Sequence, residues 1–273
     1  MNVSRVVSRL LLASCFVSLA AVAQQAQEKK EPYEPVEGQA GKDVVWVPTP
    51  AVLVTKMLDM ARVTPRDFVM DLGSGDGRNI IAAAKRGARA LGVEYNPDMV
   101  ELSRRNAARE GVADKAQFVQ GDMYEADISQ ANVLALFLLT ENLNRLVPKF
   151  LAMKPGSRIV VNGFEIDDWK YGETGRADGD CMSWCTAYLY IVPAKVEGAW
   201  ELPQGGRLEL EQKFQQVTGT LTTGGISTPI ATGRMRGDQI RFTAGGTEYA
   251  GRVNGDTMSG NLKGGATGAW TAR

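Results

Sequence analysis

Val69-Met70-Asp71-Leu72-Gly73-Ser74-Gly75-Asp76-Gly77-Arg78 decides how this chain is read. Apolar residues lead into an acid, glycines then stand at alternate positions, and good helix formers run from Asn79 to Lys85. The pattern predicts a strand, a tight turn and a helix start, with backbone N–H groups of the turn approaching a ligand at the end of a parallel strand. Hairpins and dinucleotide folds share such turns, so the following strands carry the decision. A second strand, residues 88–95, ends at Glu94, where a carboxylate can accept from both hydroxyls of a ribose. A third, Gln117-Phe118-Val119-Gln120, runs into Gly121-Asp122-Met123. Asp122 there suits an adenine amino group, and Met123 the face of the ring. Acids at three consecutive strand ends outline a nucleoside pocket. Trp46 and Tyr95 read equally well as rings stacked on the ligand or as ordinary packing.

Residues 44–193 resemble a class I S-adenosylmethionine-dependent methyltransferase. Asp71 with Gly73, Gly75 and Gly77 matches the first motif, Glu94 the second and Gly121-Asp122 the third. The dinucleotide fingerprint spaces its glycines G-x-G-x-x-G, whereas this chain reads Gly73-Ser74-Gly75-Asp76-Gly77. Asp71 and Asp76 would repel a pyrophosphate but suit an ammonium and a sulfonium. The resemblance implies S-adenosylmethionine as co-substrate, held by Asp71, Gly73, Ser74, Gly75, Asp76, Gly77, Glu94, Tyr95, Asp122 and Met123. Trp46-Val47-Pro48-Thr49-Pro50, the glycine turn, residues 82–88 and Gly92-Val93-Glu94-Tyr95-Asn96-Pro97 narrow it. They are similar to the mitochondrial protein-lysine methyltransferases that act on the ATP synthase c-ring protein and the adenine nucleotide translocase, and to their bacterial relatives. That implies a protein substrate methylated on lysine.

Methyl transfer from a sulfonium is an in-line displacement that needs alignment and dryness, without a covalent intermediate. An attacking lysine must be neutral, so the site must desolvate it or remove a proton. Glu141, Glu165, Asp167 and Tyr171 are the candidate groups for that step; each also reads as a solvated loop residue. No Asn-Pro-Pro-aromatic run follows the strand ending at Leu139, which counts against adenine or amide nitrogens as acceptors.

Histidine is absent, which excludes His bases, His-containing triads and His-ligated metals. Lys plus Arg equals Asp plus Glu, 31 each, so net charge does not favour a nucleic-acid partner. Cys181 and Cys185 read as a local disulfide if the compartment is oxidising and as two buried thiols otherwise. A zinc site finds only Asp178 and Asp180 as further ligands, so no metal is expected.

Residues 1–23 read as a secretory signal: Arg5 and Arg9, an apolar run from Leu10 to Ala20, and an Ala21-Val22-Ala23 cleavage site. A lipoprotein reading at Cys15 and an uncleaved anchor are the alternatives. The protein is thus expected to be exported, periplasmic or membrane-anchored, although S-adenosylmethionine is a cytoplasmic metabolite. Residues 24–43 read as a disordered polar linker. Residues 44–194 form the predicted methyltransferase domain. Thr49 would cap a first helix reaching about Arg62. Strands and helices then alternate, giving an α/β, Rossmann-like, mostly parallel sheet with helices on both faces. Residues 163–186 read as a long loop.

Residues 195–273 are rich in Gly and Thr, with alternating apolar positions. They read as a small antiparallel β-barrel or sandwich of about six strands. Gly233–Ile240 and Gly251–Met258 repeat weakly, and each Gly-Asp pair suits a hairpin turn. Gly198-Ala199-Trp200 and Gly268-Ala269-Trp270 predict that the first and last strands meet. The competing functional readings are a non-catalytic envelope protein that keeps the fold for binding, and a methyltransferase of lipids or small molecules. Membrane or envelope association is expected through the N-terminus or the β domain.

Overall fold

Five parallel strands build the first layer: β1 (Phe68–Leu72), β2 (Arg89–Glu94), β3 (Ala116–Gln120), β4 (Val133–Leu136) and β5 (Arg158–Asn162). Two more, β6 (Glu173–Arg176) and β7 (Thr186–Ile191), complete a seven-stranded sheet of order β3-β2-β1-β4-β5-β7-β6. β7 runs antiparallel to both β5 and β6. The computed structural model of the protein describes residues 33–179 and 181–273. The signal read in residues 1–23 and the start of the linker lie outside the described residues.

Consecutive strand residues point to opposite faces, and both faces are apolar, as buried parallel strands require. Val69, Val133 and Val160 meet Leu53, Met57, Ile80 and Val100 from helices α1 (Ala51–Met60), α2 (Arg78–Lys85) and α3 (Pro97–Arg109). Met70, Leu134 and Ile159 meet Leu143, Leu146 and Phe150 from α4 (Thr140–Ala152) on the other side. Asn132 Oδ1 accepts from the Phe68 N–H, tying the entries of β4 and β1 together.

Three local expectations change. Thr49 does not cap α1; Pro50 takes that place, and the buried Thr49 hydroxyl lies 3.3 Å from Asn162 Nδ2. Residues 163–186 are not all loop, because Glu173–Arg176 pairs with β7. That strand is polar and shows no alternation, so only its backbone bonds reveal it. Residues 33–43 are not a free linker: Gly38 and Trp46 bond through their backbones, as do Trp46 and Gln39, and the hairpin they make covers the sheet's C-terminal edge.

The second layer holds nine antiparallel strands rather than about six. They are β8 (Gly198–Leu202), β9 (Gly206–Lys213), β10 (Gln216–Thr223), β11 (Ile226–Pro229), β12 (Ala231–Arg236), β13 (Gln239–Ala244), β14 (Thr247–Asn254), β15 (Thr257–Gly264) and β16 (Gly268–Ala272). Two-residue turns, including Gly237-Asp238 and Gly255-Asp256, fit the extra strands into so short a chain. The order is β16-β15-β14-β13-β12-β10-β9-β8, with β11 beside β10. Glu201 and Arg273 exchange backbone bonds of 2.8 and 3.1 Å, joining β8 to β16 and closing the barrel. Trp200, Leu208, Ile240, Phe242, Met258 and Trp270 fill its interior.

The barrel is seated on the first layer through a hairpin tip. Phe214, at a left-handed φ of 53°, stacks on Trp169 with ring centroids 5.1 Å apart, and Gln215 Nε2 donates to the Lys170 carbonyl at 2.6 Å. The Ala194 N–H donates to the Gly237 carbonyl nearby. An aromatic side chain sunk into the neighbouring core explains why the two layers make one unit.

Candidate functional site

A cavity opens at the C-terminal ends of β1 and β2, where loops leave the sheet. Asp71, Glu94 and Asp122, the three predicted strand-end acids, all line it. So do Gly73, Ser74, Gly75, Asp76, Tyr95 and Met123. Gly77 lies behind the wall instead. Its φ is 85°, and a Cβ there would come within 2.6 Å of the Phe118 ring. It starts α2 and lets the turn pack flat on β3.

The turn works differently from the sequence expectation. Its amides are used inside the protein: Gly73 and Ser74 N–H groups donate to the Val93 carbonyl, Gly77 N–H to the Ser74 carbonyl, and Gly75 N–H to Glu94 Oε2 at 2.9 Å. From behind, Ser103 Oγ donates to the Gly75 carbonyl and Asn106 Nδ2 to the Asp76 carbonyl. The loop is therefore a rigid surface of small residues rather than a cradle of free donors. Such a surface suits a cationic, apolar-bodied ligand better than a phosphate.

Asp71 is the centre of the electrostatics. It is 3% exposed; Oδ2 accepts from Asn79 Nδ2 at 3.0 Å, while Oδ1 is buried with no partner. Burial pushes this carboxyl well above the usual carboxylate range, and Glu94 and Asp76 push the same way, against the Asn79 hydrogen bond. Ser74 Oγ and Asn79 Oδ1 are likewise buried and unpaired beside it. Unpaired buried polar atoms are costly. The three belong to residues that line one cavity, so its wall carries oxygens with hydrogen-bonding capacity left over.

Glu94 is held by the Gly75 and Asn96 N–H groups at 2.9 and 3.0 Å, one on each oxygen. Each oxygen keeps a further lone pair for a hydroxyl. Asp122 accepts from the Tyr124 N–H through Oδ1 and from Lys42 Nζ through Oδ2 at 2.5 Å. The Lys42 hydrogen bond, then the Tyr124 one, hold its carboxyl below the usual range. Asp76 is clamped by Arg78, whose Nη1 also donates to the Thr49 carbonyl at 2.7 Å.

Glu141, Glu165 and Tyr171 do not line this cavity. Glu141 is exposed in the first turn of α4, and Tyr171 packs on Tyr188 with centroids 4.9 Å apart. Glu165 lies beside Tyr188, whose hydroxyl is pushed up by burial and by that carboxylate. Asp167 is engaged by Asn144 Nδ2 at 2.7 Å. These residues follow strand ends in sequence, but their contacts are with α4 and with Tyr188 rather than with the cavity. Residues the sequence did not single out do line the cavity: Lys42, Asn79, Met99, Phe137 and Leu138. Asn79 carried a readable signal, a lone amide in an apolar helix turn; Lys42 carried none. The ring of Trp46 closes over the turn, where a Cβ on Gly75 would come within 2.7 Å of its Nε1.

Beyond the cavity, Cys181 and Cys185 form a disulfide, and Trp184 between them joins Phe164 and Phe137 at centroid distances of 5.1 and 5.6 Å. Among the described residues no group of three or more acids, cysteines or histidines is placed to hold a metal.

Residues 71–173 match the family described as the ANTKMT methyltransferase domain. A protein-lysine N-methyltransferase of Saccharolobus islandicus is 41% identical over 152 residues, which cover 55% of this chain and 94% of that protein. The adenine nucleotide translocase lysine N-methyltransferase of Mus musculus is 34% identical over 129 residues; the match covers 46% of this chain and 56% of that relative. This chain thus spans about half the length of such animal relatives. Among solved structures, an RNA methyltransferase from Salinibacter ruber in complex with S-adenosyl-L-homocysteine is 40% identical, with a TM-score of 0.51. That likeness covers 55% of this chain and 96% of the other.

Proposed function

Because the chain belongs to the S-adenosylmethionine-dependent methyltransferases, in the group that carries the ANTKMT methyltransferase domain, we propose that it N-methylates lysine side chains of a protein. The observation that carries this reading is the cavity in which Asp71, Glu94 and Asp122 converge with unpaired buried oxygens on Asp71 and Asn79 and an unpaired hydroxyl on Ser74.

S-adenosylmethionine, when bound, would supply an electrophilic methyl group: the C–N bond to the amine forms as the C–S bond breaks, S-adenosylhomocysteine leaves as the neutral thioether, and the amine gives up a proton. In this reading Asp71, with Asn79, holds the ammonium of the methionine portion. Glu94 takes the ribose hydroxyls, and Asp122 with Met123 takes the adenine. The rigid turn of residues 73–77 fixes the distance between these groups. Trp46, Phe137 and Leu138 exclude water and, by desolvation, favour the neutral form of an entering amine. Proton removal is assigned to none of Glu141, Glu165 or Tyr171, since they stand outside the cavity. The sequence reading of residues 1–23 directs the search for the acceptor to envelope proteins.

The test is methyl transfer from labelled S-adenosylmethionine to separated protein, RNA and lipid fractions of the envelope and cytoplasm, followed by mass spectrometry of modified residues. Label on protein lysine, lost with Asp71→Asn, supports the proposal. Label confined to RNA or lipid, or no binding of S-adenosylmethionine to the folded chain, rejects it.

A further inference from the structure

The outer wall of the barrel carries a concentration of arginines that the methyltransferase reading leaves without a role. Strand register places Arg234, Arg241, Ala250 and Asn261 side by side in one row across β12 to β15. The next row reads Arg236, Gln239, Arg252 and Ser259. Neither row contains a carboxylate. Arg234 stands directly opposite Arg241, an arrangement of like charges that weakens a sheet unless something offsets it.

This wall faces a groove of about 970 Å³ between the barrel and the β6–β7 edge of the first sheet. Across the groove stand Lys170, Gly172, Glu173, Leu189 and Ile191. Five cations therefore face one carboxylate among the groove-lining residues, in a chain whose total charges balance. Acids outside the two rows orient two of the arginines: Asp238 takes Arg252 Nη1 at 2.6 and 2.9 Å, and Glu248 takes Arg241 Nε at 3.4 Å. Arg234, Arg236 and the Lys170 ammonium have no acidic partner among the described residues. Small residues at Gly172, Ala250 and Ser259 keep the space between them open. The groove lies toward the N-terminal end of β5, where Ile191 pairs with Arg158, at the opposite end of the sheet from the cofactor cavity.

We propose that this groove is an anion-binding site for phosphoryl groups, carried by a soluble phosphorylated compound or by a lipid headgroup. Guanidinium forks match the geometry of phosphate oxygens, and a phosphoryl group concentrates negative charge where Arg234 faces Arg241 and where Arg236 and Arg252 flank Gln239 in the next row. A carboxylate-bearing peptide is less suited, because the two rows offer its backbone N–H groups only the side-chain oxygens of Gln239, Ser259 and Asn261 as acceptors. The site is independent of methyl transfer: it gives the barrel an anion-binding role whichever acceptor the enzyme uses.

The test is calorimetric titration of the full chain with inorganic pyrophosphate, and co-sedimentation with phosphatidylcholine vesicles with or without phosphatidylglycerol. Both are repeated with Arg234→Gln, Arg236→Gln and Asp71→Asn. Saturable binding that weakens by about tenfold for each arginine removed, steepens at low salt and is unchanged by Asp71→Asn supports the proposal. Pyrophosphate binding alone identifies a soluble ligand, and vesicle binding that requires phosphatidylglycerol identifies a headgroup. Equal binding by wild type and arginine variants, loss only with Asp71→Asn, binding of a polyglutamate peptide in place of both probes, or no binding of either probe overturns it.

Discussion

Lys42 donates to Asp122 across the rim of the cavity, Nζ to Oδ2 at 2.5 Å, and the same ammonium stands 5.1 Å from the centre of the Tyr95 ring. The bond raises the Lys42 ammonium above its ordinary value and lowers the Asp122 carboxyl. It ties the hairpin of residues 38–46 to the loop after β3, and it occupies one oxygen of the carboxylate proposed to accept from adenine. An ammonium and a cofactor thus compete for one lone-pair region. Lys42→Ala is expected to tighten S-adenosylhomocysteine binding severalfold while leaving the melting temperature close to wild type. Calorimetry decides; weaker binding would show that Lys42 is a ligand contact rather than a competitor.

Asp71 is expected to separate stability from binding. Asp71→Asn keeps the shape and removes a carboxyl whose ionised form is costly to bury, so the ligand-free protein should melt no lower than wild type. Affinity for S-adenosylmethionine should fall by about a hundredfold, the equivalent of losing a charge-assisted bond in a dry site. Paired thermal melts and titrations measure both. A folded variant that binds as tightly as wild type contradicts the assignment of Asp71 to the ammonium.

The same residue predicts a pH dependence. Its folded carboxyl is raised above the unfolded value, so the folded protein holds a proton that the unfolded chain has already released. Stability of the ligand-free protein should therefore fall as pH rises from about 4 toward the raised value, by at most about 1.4 kcal/mol per pH unit. Binding of a cationic ligand needs the ionised form, so affinity should rise over that window. Urea denaturation at several pH values, with Asp71→Asn as the flat control, reads the first effect. Titration in buffers of different ionisation enthalpy reads proton release on binding.

Gly77 tests the turn. Gly77→Ala places a Cβ 2.6 Å from the Phe118 ring at a φ of 85°, and should cost about 2–4 kcal/mol. Gly111 has a φ of 69° but nothing within 4 Å of an added Cβ, so Gly111→Ala should cost only about 1–2 kcal/mol. Chemical denaturation of the two variants isolates the steric part. Equal losses would mean that close approach to Phe118 is unimportant.

Residues 69–78 and the acids at 94 and 122 made the parallel sheet legible in the sequence, with acids at its strand ends that the structure gathers around one cavity, because strand period, turn chemistry and terminal acids are local properties. The closing of the barrel was legible in the paired Gly-Ala-Trp segments for the same reason. Tertiary structure alone decided the rest. Whether a polar group after a strand reaches the pocket depends on the path the chain takes from there: Glu141 enters the exposed first turn of α4, and Glu165 and Tyr171 pack beside Tyr188, so none of them lines it. The hairpin with Lys42 folds over the cavity through backbone bonds and one long-range ion pair, neither of which leaves a periodic trace in sequence. The arginine rows of the barrel exist only through strand register, which brings residues from four strands side by side across one face.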